Sequence, residues 1–147
     1  MAYQAKRRKR YEEDFELCDE EGKVVKTLHV SLDVDDVIGK IYRKYSDLTK
    51  VLAETSEMKR RSEAGEIVEN CIERLGNAVV NLFEAVFGPE DAGEIVSFYD
   101  NRYAEMCKEV VPFITQVVVP RCSDIKKENQ KSILQGYNRK QRRHVFK

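Results

Sequence analysis

The stretch from Phe83 to Pro120, FEAVFGPEDAGEIVSFYDNRYAEMCKEVVPFITQVVVP, constrains the fold more than any other part of the chain. Its apolar residues recur at Ile95, Tyr99, Tyr103, Met106, Val110, Phe113 or Ile114, and Val117. Steps of three or four residues trace one face of a helix. Pro112 falls inside that face; it has no backbone N–H, and its ring crowds the carbonyl of Lys108, four residues earlier. The stripe therefore belongs either to one kinked helix or to two helices meeting near Val111. It carries tyrosines, a methionine and a phenylalanine but no histidine and no polar cluster suited to catalysis. It reads as a surface for packing or for gripping another chain.

A chain of 147 residues is most simply one domain, with charged residues at 35%, aromatics at 9%, three prolines and no tryptophan. That balance fits a helix-rich protein better than a β-sandwich. The longest strongly apolar stretch, Val110 to Pro120, is interrupted by Thr115 and Gln116. It is too short to span a bilayer, which takes about 20 apolar residues. The N-terminus, MAYQAKRRKR, is basic but leads into no apolar segment, so it is not read as a secretory signal. A cytoplasmic location is expected.

The zero net charge hides an uneven distribution. Residues 1–10 carry Lys6, Arg7, Arg8, Lys9 and Arg10, and residues 136–147 carry Arg139, Lys140, Arg142, Arg143 and Lys147, with no acid in either segment. The body between them holds the other 16 basic residues against all 26 acidic ones, a net of −10. Residues 1–12, a charge run with almost nothing to bury, are expected to be a disordered basic arm.

Beyond the arm, Phe15 and Leu17, then Val24, Leu28 and Val30, follow the period of two expected of strands, with Lys26 interrupting the second. Gly22 supplies the positive φ that a tight return needs. A β-hairpin over 13–18 and 23–31 follows, its apolar face lying on helices or pairing with another chain, because a lone hairpin is marginal in water. Asp33 or Asp35 is placed to cap a helix over about 34–54, striped by Val34, Val37, Ile38, Ile41, Tyr42, Tyr45, Leu48 and Leu52. A polar connector from Thr55 to Gly65 leads to a second helix, about 63–87, ended by Gly88-Pro89. Helices over 89–101 and 102–119 complete a single domain over 13–120. Residues 121–147 are read as a short polar, basic helix around Ile125, Ile133, Leu134 and Tyr137 followed by a loose tail. The fold class is thus mainly α with an N-terminal β-hairpin, a small α+β helical bundle with basic flexible termini.

Chemistry-bearing motifs are few. Cys18, Cys71, Cys107 and Cys122 make no CxxC pair, so they read as reduced, mostly buried thiols rather than zinc ligands. LHVSLDVDDVIGK resembles the first motif of haloacid dehalogenase-like phosphatases, in which Asp33 would be the nucleophile and Asp35 the acid/base, with magnesium between them. Lys26, Thr27, His29 and Ser31 make the preceding strand unlike the buried centre of a parallel sheet, and no further βαβ unit follows. As a calcium loop the same segment fails, since positions five, six and twelve from Asp33 are Val37, Ile38 and Lys44. His29 and His144 are the only histidines, and no glycine-rich phosphate loop is present. No cofactor, metal or catalytic residue is assigned, and the chain is not read as an enzyme.

Residue order suggests a family. LCDEEGKVVKTLHV leads into LDVDDVIGKIYRKY, and later come LFEAVFG and IVSFYDNRYAEMCKEVVPFI. Over roughly residues 13–120 this resembles the tail assembly chaperones of long-tailed bacteriophages and prophages of Gram-positive bacteria. The resemblance implies a small helical protein of the host cytoplasm with no cofactor and no catalysis. It would bind the tape-measure protein, keep its apolar helices soluble and help recruit tail-tube protein. Many such chaperones are made in two lengths by a programmed frameshift, and this chain would correspond to the short form. Contact residues expected on the stripe are Phe98, Tyr99, Tyr103, Met106, Pro112 and Phe113, each of which equally fits intramolecular core. The hairpin edge is a second expected contact, by strand addition, and self-association stays open. The alternative is a nucleic-acid-binding adaptor acting through Lys6, Arg7, Arg8, Lys9, Arg10, Arg139, Lys140, Arg142 and Arg143, although the acidic body would repel a duplex. The aspartate-nucleophile phosphatase is the remaining alternative.

Overall fold

The computed structural model describes the backbone of residues 2–61 and 65–145 and the side chains of residues 2–57 and 70–134. Two antiparallel strands, β1 (Tyr11–Cys18) and β2 (Val24–Leu32), open the fold. Helices α1 (Val34–Arg61), α2 (Gly65–Phe87), α3 (Pro89–Phe98), α4 (Tyr103–Glu109) and the single turn α5 (Val111–Phe113) follow. A π-helical turn, Ile114–Val118, then leads into α6 (Val119–Val145). The architecture is the expected one, mostly helical with an N-terminal hairpin.

Strand register explains which hairpin residues face the helices. Tyr11 pairs with Leu32, Glu13 with Val30, Phe15 with Leu28 and Leu17 with Lys26. Alternate residues share a face, and on this one Tyr11, Leu17, Leu28, Val30 and Leu32 are buried. Tyr11 belongs to the core at 1% exposure, so β1 starts inside the segment expected to be a disordered arm. Its hydroxyl donates to Glu13 Oε2 at 2.6 Å. Val24 departs from the expected stripe: Cys18 pairs with Val24, leaving Val25 as an extra residue on β2, a bulge that reverses the alternation and leaves both valines exposed. Lys26 is accommodated because it lies at the rim, where its Nζ meets Glu94 Oε2 of α3 at 2.8 Å.

Asp33 Oδ1 accepts the backbone N–H of Asp35 at 3.1 Å, which is the first-turn cap anticipated for α1. The helix then runs to Arg61, past the expected end near residue 54. Its later residues lack an apolar stripe, but alanine, glutamate, lysine and arginine are good helix formers and the backbone ladder needs no buried face. Helix α2 packs alongside α1, and Arg74 pairs with Glu54 across the two helices at 2.7 Å; residues 62–64 of the expected connector lie outside the described residues. Leu48 of α1 and Val79, Leu82 and Phe83 of α2 are fully buried in the core. Gly88, at φ 86, caps α3 ahead of Pro89.

The region expected to form helices over 89–101 and 102–119 is broken twice. Its first break is a turn at Tyr99–Arg102. Asp100 and Asn101 both take positive φ, 51° and 61°. The Asp100 N–H donates to the Ser97 carbonyl and the Asn101 N–H to the Val96 carbonyl. That pair of bonds is the Schellman closure of a helix end, here made by aspartate and asparagine, the non-glycine residues that best tolerate the left-handed region. The second break is at Val110 (φ −101°), two residues ahead of Pro112, which occupies the first turn of α5 where its missing N–H costs nothing. Pro120 does not end the helix, contrary to the expected bound at residue 119. The Val119 N–H reaches back five residues to the Ile114 carbonyl, and a widened turn of this kind lets a helix continue past a residue that breaks the regular ladder. The C-terminal segment is accordingly one long helix, with Val119, Cys122 and Ile125 buried at its start. The loose tail expected after Tyr137 is helical backbone through Val145.

Candidate functional site

A groove of about 710 Å³ opens between the hairpin turn and the α3–α4 turn. On one side lie Cys18, Asp19, Glu20 and Glu21; on the other lie Phe98, Tyr99, Asp100, Arg102, Glu105 and Glu109. Local bonding holds both walls. Asp19 Oδ1 accepts from the N–H groups of Glu21 (3.0 Å) and Lys23 (2.9 Å), and the Gly22 N–H donates to the Asp19 carbonyl (3.0 Å). This is an aspartate-templated turn closed by a glycine at φ 84. Opposite it, the Schellman closure presents Tyr99 and Asp100 at the end of α3.

An aromatic cluster anchors the hairpin to the bundle. The Phe15 ring stands 5.3 Å from that of Phe87 and 4.7 Å from that of Phe113, joining β1, α2 and α5. Inside the groove, Phe98 and Tyr99 meet edge to face at 5.0 Å. Burial, and then the carboxylates of Glu109 and Glu105, push the Tyr99 hydroxyl above its ordinary pKa, so it stays a neutral donor. Six carboxylates line the groove against the single guanidinium of Arg102, whose Nη1 lies 3.9 Å from Glu105 Oε2. An acidic cleft lined in part by aromatic rings suits a segment carrying Lys or Arg beside an apolar or aromatic residue.

The residues expected to touch a partner do not share one surface. Phe98 and Tyr99 reach the groove. Tyr103 is half-buried against α2, its ring over Gly76. Pro112 and Phe113 are half-buried, Phe113 stacked in the aromatic cluster. Met106 is no surface contact: it is fully buried with Ile95, Val110 and Ile114 of the same stripe, the intramolecular alternative. The acidic side of the groove went unrecognised in the sequence. DEEG was read only as a turn, and nothing in the chain order joins it to Glu105 and Glu109.

The aspartates of the phosphatase-like motif both make bonds within the chain. Asp33 caps α1, and Asp35 Oδ2 accepts from Arg8 Nη1 at 3.0 Å. The strand before them belongs to a two-stranded antiparallel sheet. Of the basic residues, Lys6 and Arg7 are exposed, Arg8 pairs with Asp35, Lys9 with Glu128 and Arg10 donates to Ser31. Arg139, Lys140, Arg142 and Arg143 lie on α6 with side chains outside the described residues. His29, on the exposed face of β2, has Nδ1 2.9 Å from Asp14 Oδ1 and Nε2 3.9 Å from Glu12 Oε1. All four cysteines are thiols: Cys71 and Cys122 are buried, Cys107 half-buried and Cys18 exposed. Burial pushes the Cys122 thiol up to about 11. Among the described residues no three His, Cys, Asp or Glu side chains gather as a metal site. None of the described helices is long and apolar enough to cross a membrane.

Hairpin, bundle and acidic groove together define a small α+β protein with a cleft suited to a cationic protein segment. Comparison with protein-family models, curated proteins and solved structures finds no significant match to this chain.

Proposed function

We propose that this chain is a non-enzymatic assembly chaperone for long-tailed phage tails, working in the cytoplasm of the bacterial host. It binds segments of the tape-measure protein, shields their apolar faces and aids recruitment of tail-tube protein. The observation that carries the reading is the acidic groove lined by Phe98 and Tyr99, two of the contact residues expected on the stripe. Such a surface takes an amphipathic segment by burying its apolar side and pairing its cations, a recurring mode of peptide recognition. The groove's net negative charge also speeds encounter with a basic partner and repels nucleic acid.

The test is co-expression with the large, coiled-coil-rich product of the neighbouring gene. Soluble complex is expected with the intact chain, and loss of that complex when Tyr99→Ala and Glu105→Lys are combined. A tape-measure protein equally soluble without this chain would end the proposal.

A further inference from the structure

The N-terminal arm, residues 2–10, has almost nothing apolar to bury, yet it is tied to three separate elements of the fold. Arg8 Nη1 meets Asp35 Oδ2 on the first turn of α1 at 3.0 Å. Lys9 Nζ meets Glu128 Oε2 of α6 at 3.7 Å, and the Lys9 carbonyl accepts from Asn129 Nδ2 at 3.2 Å. Arg10 Nε donates to Ser31 Oγ on β2 at 3.3 Å. The arm so crosses from the open end of the hairpin over the start of α1 to α6. Lys126 Nζ, donating to the Asp35 carbonyl at 3.3 Å, closes the same corner from the α6 side.

We propose that this arm is an ion-pair latch, closed on its own body and opened by rising ionic strength. Its two ion pairs join exposed groups, each side chain 40–60% accessible. Exposed pairs are individually weak and strongly screened by salt. Glu128 and Asn129 lie just past Ile125, the last buried residue of α6 among those described. The latch therefore grips α6 just beyond its last buried residue. Closed, Arg8 and Lys9 neutralise carboxylates on α1 and α6; open, all five cations from Lys6 to Arg10 are presented together on a free segment. The inference is independent of the proposed chaperone activity and of the acidic groove.

Backbone ¹⁵N relaxation on the full chain tests it. At about 0.01 M salt, where the screening length is about 30 Å, the Arg8 and Lys9 amides are expected to show order parameters close to the roughly 0.85 of rigid backbone. At about 1 M salt, with screening at about 3 Å, they fall below about 0.6 while the body stays rigid. The double variant Arg8→Gln, Lys9→Gln gives the low values already at low salt. Lys6→Gln with Arg7→Gln removes the same charge from residues that make no ion pair among the described groups, and leaves the arm ordered. Order that is absent at low salt, or that survives high salt, overturns the latch. So does equal release by the two double variants, which would mean diffuse attraction rather than these pairs.

Discussion

The ring of Tyr103 lies directly over Gly76, so close that a Cβ added to the glycine would stand 2.7 Å from the tyrosine Cε2 and Cζ atoms. This contact joins α4 to α2. A glycine inside a helix ordinarily costs about 1 kcal/mol relative to alanine, and here the close approach of a ring explains its presence.

Gly76→Ala should destabilise the fold despite the better helix former, by about 1–2 kcal/mol, since overpacking typically costs about 1–3 kcal/mol. In a Tyr103→Ala background the same change should become stabilising by up to about 1 kcal/mol, because only the propensity gain remains. Urea denaturation of the four proteins forms a double-mutant cycle. Equal effects of Gly76→Ala in both backgrounds would show that the ring contact has no energetic weight.

The bond from the Asp35 N–H to Asp33 Oδ1 predicts that Asp33→Ala lowers stability by about 0.5–2 kcal/mol, the usual cost of losing such a cap. Asp33→Asn keeps an acceptor and should stay close to the wild type. Thermal unfolding of both variants checks the ordering. An Asp33→Asn variant as unstable as Asp33→Ala would mean that charge, not the cap bond, is what matters.

His29 gives the hairpin a pH dependence of definite sign. The hydrogen bond to Asp14, with further attraction from Asp14 and Glu12, raises its pKa above the ordinary 6.5. Its contribution to stability is therefore fully present below about pH 6.5 while Asp14 stays ionised, and is lost as pH rises through the higher folded-state value. Asp14→Asn should flatten this dependence, so that the two proteins differ at pH 6 and converge at alkaline pH. An NMR titration placing His29 at or below 6.5 would contradict the prediction.

How much of this was legible in the sequence depended on whether local chemistry or chain geometry decided the outcome. Asp33 before a helical stripe and Gly88-Pro89 between two helices were readable because each satisfies a backbone group within a few residues. The bulge at Val25 was not, since one extra residue in β2 leaves no mark in an apolar run and yet turns Val24 outward. Pro112 and Pro120 look alike as helix breakers, but the first sits in a new helical turn and the second follows a π turn. Half of the groove was visible as Phe98 and Tyr99. The other half depended on the hairpin turn being carried alongside α4, a long-range relation that no local pattern encodes.

The short helix α4 holds a core residue and a groove residue side by side, and this separates folding from binding. Met106 is fully buried, so Met106→Ala should cost about 2–5 kcal/mol, as large-to-small core changes do. Glu105 and Glu109, on the same helix, are exposed and line the groove. Reversing both charges should change stability by no more than about 0.5 kcal/mol, because a cation at 109 gains at the end of α4 what a cation at 105 loses in its first turn beside Arg102. The same double variant, Glu105→Lys with Glu109→Lys, should lose a basic partner segment at least tenfold in affinity, about 1.4 kcal/mol. Calorimetric titration with tape-measure fragments, next to urea curves for each variant, measures both quantities. Unchanged affinity in a fully folded charge-reversed protein would move the binding surface away from the groove.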